Sequence, residues 1–515
     1  MESIHAIDYA IIALYFLAMI GIGIYSMRMA KSREDYLVAG RRLGFPMFFG
    51  CMAALAVGGA VTVGGTGKGY ETGIAGLWVG GSLGMGLILL GMLVSSKLNR
   101  MRALSINEVI ERNYGTTARV FGAVLTIIYT IALTVVQVVA MGAIITGIFD
   151  MNMTTAMLLA GSVVVFYTFL GGMWSVTLTD IVQFVIKTLG VMVFVPFFVL
   201  ADERIGGFSG LVDKLPADHW NFGAYGFSGS LYWVLLYVPG LVIGQDIWQR
   251  VFTARNDTIA KSGTLAAGVY SILYAFAGVM LGMAVLAAGI QLDNPSLAFE
   301  AGVAAFLPPG VAGLLLAAAM AASMSVASGT ILACSTVVYN DIFLRFVRGT
   351  RSAGAESAAQ TGEIDLHGHT TVHKDVWINR AIALTIGLFT MVLAVVISDI
   401  FKALDLSYAF LSGCVFVPVI ASFILKKVSP RAGLVSLALS AAVVAGTMAY
   451  GETTGQAEYA IGGNWPITFG IIVGLLSYIA VSLLDRNKIT PNVEVEQGSG
   501  GHAQAHVLTA HDTKE

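Results

Sequence analysis

Six hydroxyl side chains, Ser323, Ser325, Ser328, Thr330, Ser335 and Thr336, fall inside one apolar run, AAAMAASMSVASGTILACST. Small residues let helices approach closely. Hydroxyls aimed at carbonyls freed from a broken helix would also make an oxygen cage for a small, hard cation. Two other runs carry residues that interrupt helices. The run at 46–66 contains Gly58-Gly59 and Gly64-Gly65, and the run at 230–249 has Pro239-Gly240 at its middle. Interrupted helices expose unpaired amides and carbonyls, tolerable at membrane depth only where they line a cavity or hold an ion or solute. Gly64, Gly65 and Pro239 are the expected hinge positions. The amides around Gly58-Gly59 suit a carboxylate, because helix N-termini favour anions.

Other chemistries find few residues. His5, His219, His367, His369, His373, His502, His506 and His511 all lie outside the apolar runs. No intramembrane metal centre or histidine relay can be assembled from them. Gly and Thr separate the middle three, with no cysteine or carboxylate cage, as in a solvated loop. Cys51, Cys334 and Cys414 lack CxxC spacing and read as buried small hydrophobes. Glu71, Asp180, Lys187, Asp246, Asp399, Lys402 and Asp405 are the ionisable groups near the apolar runs, most at their ends. Asp399, Lys402 and Asp405 read as a local ion pair at one turn, and Lys187 could snorkel or pair with Asp180. No convergent set of catalytic groups is visible, so an enzyme is not expected. Nor is a channel, since no continuous polar stripe runs along the chain.

The elements that must position these residues are membrane spans. The 515 residues are 57% hydrophobic and 12% charged, with 60 glycines and 11 prolines, against about 25% charged in soluble domains. Thirteen runs have spanning length: 7–26, 46–66, 73–95, 119–146, 153–172, 178–200, 230–249, 263–289, 310–343, 380–401, 405–425, 431–450 and 465–484. The first, after Glu2 and Asp8, reads as a retained helix rather than a cleaved signal. With the N-terminus outside, 24 of the 29 basic residues fall on the cytoplasmic side, Arg250 among them. One miscounted helix would destroy that asymmetry. The expected protein is therefore all-α and polytopic, a single transmembrane domain over 1–485. It has a cytoplasmic loop at 346–379 and a polar cytoplasmic tail at 486–515. The net charge of -2 gives no sign of nucleic-acid binding. The two broken runs are the second and the seventh, a spacing that suits two five-helix units in inverted orientation, about 46–200 and 230–425.

Five stretches in order carry a family resemblance: EDYLVAGRRLG (34–44), GYETGIAGLW (69–78), SINEVIERNYG (105–115), YTFLGGMWSVTLTDIVQF (167–184) and GQDIWQRVFTAR (244–255). Over about residues 7–485 the chain resembles the sodium/solute symporters, which include bacterial proline, pantothenate, sialic acid, acetate and sugar transporters. The resemblance implies a leucine-transporter-like inverted-repeat core of five plus five helices, with one extra helix before it and two after. It implies a sodium site made of the carbonyls of Ala54, Val57 and Ala322 and the hydroxyl of Ser325. The next position departs from the family: Val326 stands where sodium-coupled members have a second hydroxyl. Such a site would be completed by water or Ser323, or would not serve sodium. Sugar-holding positions fall at Ala56, Gly80, Leu83 and Tyr237, only one of them polar, and the inner gate aromatic falls at Gly240. Ala56, Gly58, Gly59, Tyr237 and Gly240 are thus the expected substrate positions.

The implied activity is alternating-access symport of a small carboxylate or amino acid with sodium, in a cell (inner) membrane and with no other cofactor. Proton-coupled or uncoupled carriage on the same fold is the alternative, as is carriage of an organic cation near Asp246. That last is disfavoured because Asp246 is expected toward the inner end of its helix.

Overall fold

The computed structural model describes residues 5–491 except 150, 348–370, 398–399, 462 and 464. The loop at 346–379 and the tail from 486 therefore lie largely outside the described residues, as do His367, His369 and Asp399. The chain is built of helices joined by short turns and loops, and two isolated bridges, Leu43 with Ala254 and Val428 with Ile489, are the β-pairing among the described residues. The helices used below are α1 (Ala6–Ser26), α2 (Phe45–Ala56), α3 (Gly65–Thr72), α4 (Leu77–Leu93), α5 (Thr116–Phe149), α6 (Met153–Lys187), α7 (Gly226–Ile243) and α8 (Gln245–Val251). They continue with α9 (Asp257–Ala287), α10 (Val311–Val337), α11 (Thr371–Ile397), α12 (Ile400–Phe410), α13 (Phe416–Ile424), α14 (Pro430–Thr454) and α15 (Trp465–Leu484).

Eleven helical stretches among the described residues are long and apolar enough to cross a membrane; this is a multi-pass membrane protein. The difference from the expected thirteen sits at two places. One continuous stretch, Met153–Ala201, holds both expected runs 153–172 and 178–200. It reverses at Gly172, whose φ of 54° and ψ of -135° no L side chain adopts easily. A Cβ there would also stand 2.5 Å from the Tyr36 carbonyl. The other place is the expected run 46–66, which is two short helical pieces with a gap between them.

Burial orders the helices. In an 18-residue stretch of the span Val311–Phe346, 89% of the residues are buried inside the protein, whereas the corresponding share in Trp465–Leu484 is 22%, with Leu483 and Leu484 turned outward. The alanines, serines and glycines of α10 are what allow this. Their small volume lets α5, α6 and α1 close on it from several sides. Asp8 of α1 fixes the start of α10 by accepting from the Gly310 and Gly313 amides, both at 2.7 Å, where the helix dipole favours a carboxylate.

Candidate functional site

The centre of the molecule is the gap after α2. Val57 leaves helical geometry (φ -122°, ψ 96°), and the chain regains it at Gly59 (φ -59°, ψ -37°). Gly58 and Gly59 make the gap possible by tolerating close neighbours. A Cβ on Gly59 would lie 2.3 Å from Ser323 Oγ and 2.8 Å from Ala140 Cβ, and one on Gly58 would lie 2.9 Å from Val326 Cγ2. Gly64 and Gly65, the second expected interruption, have ordinary helical dihedrals. A correction applies to α7 as well. It runs unbroken through Pro239 and Gly240 and ends at Ile243, with the interruption at Gly244 before α8. Gly240 serves close packing instead, since a Cβ there would stand 2.4 Å from the Tyr408 ring.

Four of the backbone groups at the first gap have traceable partners, as buried polar groups need. The Gly59 amide donates to Gln137 Oε1 at 3.1 Å. The Gly58 carbonyl accepts from the Val61 and Thr62 amides and from Thr62 Oγ1, which also pairs with Tyr274 of α9 at 2.9 Å. The Ala54 and Val57 carbonyls converge on one point, and that point is the Nζ atom of Lys187, at 2.5 and 3.1 Å. Lys187 is fully buried. It does not snorkel, and it meets the carbonyls that the resemblance assigns to sodium.

Asp180, two turns earlier on α6, forms its salt bridge with Arg250 of α8 at 3.1 Å and accepts from Ser325 Oγ at 2.6 Å. All three are buried. Arg250 is thus not a solvated flanking charge but a lining residue of the interior. Ala322 is buried on α10 one turn before Val326. Ser323 Oγ lies against Gly59, and Val326 presents methyl groups to Gly58.

On the other side of the gap lies a cavity of about 40 Å³ lined by Ala56, Gly58, Gln137, Tyr237, Asp246 and Tyr408 among others. That is room for about three water-sized centres. Asp246 is buried at the start of α8 and accepts from Tyr129 Oη at 2.8 Å. It stands on the cavity wall. Tyr237 packs edge-on against Tyr408 at 5.2 Å and stacks on Trp233 at 5.9 Å. Its hydroxyl is buried without a hydrogen-bond partner. Of the expected substrate positions, Ala56, Gly58 and Tyr237 line the cavity, whereas Gly59 and Gly240 pack beside it.

Sequence reasoning passed over Gln137, Tyr408 and Arg250, and discounted Lys187 and Asp246. Gln137 is a lone amide in an apolar helix, and Asp180 and Lys187 are seven residues apart, the spacing that puts two side chains on one helix face. Both signals were present in the sequence. Away from the gap, Glu71 pairs with Lys68 at 2.7 Å, and Asp405 accepts from Tyr232 at 2.6 Å.

Known proteins resemble this chain along most of its length. The family model described as the sodium:solute symporter family matches residues 36–439. A high-affinity choline transporter of Drosophila melanogaster is 23% identical over 76% of this chain, which spans 62% of that relative's length. A sodium/proline symporter of Haemophilus influenzae is 24% identical over 66% of this chain and 71% of its own. A solved structure of a Na+-coupled sialic acid symporter, substrate-bound and outward-open, superposes with a TM-score of 0.77 at 16% identity. It covers 94% of this chain and 99% of its own. At that identity the likeness concerns the fold, which is leucine-transporter-like.

Proposed function

Because the chain belongs to the sodium:solute symporter family, we propose that it is a secondary active transporter, not an enzyme. It carries a small organic solute, a carboxylate or an amino acid, together with a cation by alternating access. The observation that carries this reading is that one helix interruption serves two sites at once. Its carbonyls at Ala54 and Val57 hold a positive charge, and its Ala56–Gly58 face lines a small cavity bearing an unpartnered Tyr237 hydroxyl and the Asp246 carboxylate. Charge at the carbonyl end steadies the gap, and the gap shapes the cavity. The volume favours a solute of a few heavy atoms. The Gly59 amide is already engaged by Gln137, so a carboxylate would be met by Tyr237 and an amino group by Asp246.

Inward movement of one positive charge through about 100 mV contributes roughly 2.3 kcal/mol, and a tenfold ion gradient about 1.4 kcal/mol more. Together they sustain a solute gradient of several hundredfold. The Lys and Arg distribution supports a cell (inner) membrane protein with its N-terminus outside and C-terminus cytoplasmic. The family description and the named sodium/proline symporter support sodium as the coupling ion. Proton coupling is the second reading, favoured by the position of Lys187.

Uptake of radiolabelled acetate, propionate, alanine and proline into proteoliposomes, each under an imposed sodium or proton gradient, tests the proposal. Accumulation of at least one, collapsed by an ionophore for the driving ion, is the expected result. No accumulation under either gradient would rule out symport of this solute class.

A further inference from the structure

Among the described residues that line the cavity, the one with a formal charge is Asp246. Beside it stand Gln137 and the phenol rings of Tyr237 and Tyr408, and aliphatic residues and glycine make the rest of the wall. The neutral Tyr129 hydroxyl donates to the Asp246 carboxylate at 2.8 Å. Arg250, one turn further along α8, places its guanidinium on Asp180 instead. A buried carboxylate that faces a cavity without a cationic partner favours a ligand that brings one.

The rings act in the same direction. Tyr237 and Tyr408 meet edge-on at 5.2 Å with their planes at 86°, and aromatic rings beside a carboxylate add cation–π attraction for an ammonium. Tyr129 also meets the Tyr408 ring at 5.8 Å, and its carbonyl accepts from Ser407 Oγ at 3.0 Å. The carboxylate and that ring are therefore held to one side chain. For an anion the same walls are poor. The Gly59 amide and Gln137 Oε1 are spent on each other, the Tyr237 hydroxyl is neutral, and any anion shares the cavity with Asp246 at like charge.

We propose that Asp246 is the specificity-determining residue of the solute site: it selects a cationic nitrogen, so that the cargo is a small ammonium-bearing solute with an apolar body and a bare carboxylate is refused. The ammonium pairs with the Asp246 carboxylate, and the apolar body lies against Leu83, Leu133 and Leu241. Among such solutes an apolar amino acid satisfies both polar ends. Its carboxylate meets the Tyr237 hydroxyl, which is buried without a protein partner and so calls for one from the ligand. A plain amine offers the same nitrogen and leaves that hydroxyl unmet.

The inference rests on the reading of the chain as a carrier of small solutes, but its test needs no ion gradient. Alanine, isopropylamine and propionate form a matched series. Isopropylamine replaces the carboxylate of alanine by a methyl group, and propionate replaces its ammonium by hydrogen. Their dissociation constants are measured by saturation-transfer NMR on the methyl signals, with the full-length protein in lipid nanodiscs in sodium buffer at neutral pH and empty nanodiscs as reference. Alanine is expected to bind tightest, with isopropylamine about 2- to 12-fold weaker for want of one neutral hydrogen bond. Propionate is expected to be at least about 100-fold weaker than alanine. Asp246→Asn should weaken alanine and isopropylamine about 10- to 150-fold, the worth of a hydrogen bond to a charged group, and narrow the gap to propionate. Tyr237→Phe should weaken alanine about 2- to 12-fold and leave isopropylamine unchanged, which separates an amino acid from a plain amine. The probe series on the unaltered chain decides the matter even if Asp246→Asn fails to fold. Propionate binding as tightly as isopropylamine, no binding of either ammonium probe, or an Asp246→Asn variant that keeps the wild-type affinities overturns the proposal. Symport is scored separately by accumulation in proteoliposomes, which can fail while this binding order holds and can hold while the order fails.

Discussion

Asp180→Asn is the most informative single change. It keeps the shape of the side chain and an oxygen for Ser325, but removes the negative charge that bridges to Arg250. Arg250 is 1% exposed and Lys187 0%, so the substitution leaves a buried guanidinium without its partner and takes away the carboxylate that acts on Lys187. Breaking a buried pair from one side costs about 3–5 kcal/mol. At about 2.1 cal/mol/K per residue the unfolding entropy of this chain is about 1.1 kcal/mol/K, so Tm should fall by roughly 3–5 °C. The protein carries its own reporter: Cys51, Cys334 and Cys414 are free and buried. A thiol-reactive dye in detergent therefore stays dark until the fold opens. Adding Lys187→Met removes the second cation. The double variant should lose less than the two single losses combined, by at least about 1 kcal/mol, or roughly 1 °C. A fall under about 1 °C for Asp180→Asn, or strict additivity in the cycle, would refute the account of a charge cluster organised on Asp180.

Tyr237→Phe removes a hydroxyl that bonds to no protein group. Tm should stay within about 1 °C while the KM for the transported solute rises about 2- to 12-fold, the worth of one neutral hydrogen bond; an unchanged KM would place the hydroxyl outside the site. Glu300 sits on the short helix Ala298–Phe306, outside the spans. Burial raises its carboxyl to about 7, and its Oε2 has no partner. The folded state thus holds this proton more tightly than the unfolded one. Stability from this group is fully present below about pH 4.5 and declines by about 3 kcal/mol as pH rises through 7. Glu300→Gln should flatten the thiol-dye Tm profile between pH 5 and 8, and an unaltered slope would contradict the assignment. Gly172→Ala forces a side chain into φ 54° and against the Tyr36 carbonyl. It should lower Tm by roughly 1–3 °C, whereas Gly21→Ala, with nothing within 4 Å of the added carbon, should leave it within about 1 °C.

Much of the architecture was legible in the residues because the membrane enforces it. Apolar runs of spanning length must be helices, since no water is available to satisfy an open backbone. Paired glycines in such a run are costly unless the helix stops there, and at Gly58-Gly59 it does. The same logic failed at Pro239-Gly240. A proline inside a buried helix is tolerated when its neighbours repack, and here α7 continues through it to Gly244. Glycine marked a close approach at Gly240 and an interruption at Gly58, and nothing local distinguishes the two.

Composition, periodicity and motif order determined by themselves that this is a polytopic helical membrane protein, with a helix interrupted at Gly58-Gly59. They also pointed to the Ala54 and Val57 carbonyls as a cation site, through the family resemblance. Only the tertiary structure decided what stands on those carbonyls. Lys187 lies 133 and 130 residues from them along the chain, and its side chain could equally have reached for the membrane surface. Its direction was settled by the packing of α6 against α2 and α10, which closed the way out and offered the two unpaired oxygens of the α2 terminus instead. An ammonium cut off from water goes where acceptors are, and where they are is a property of the assembled helices.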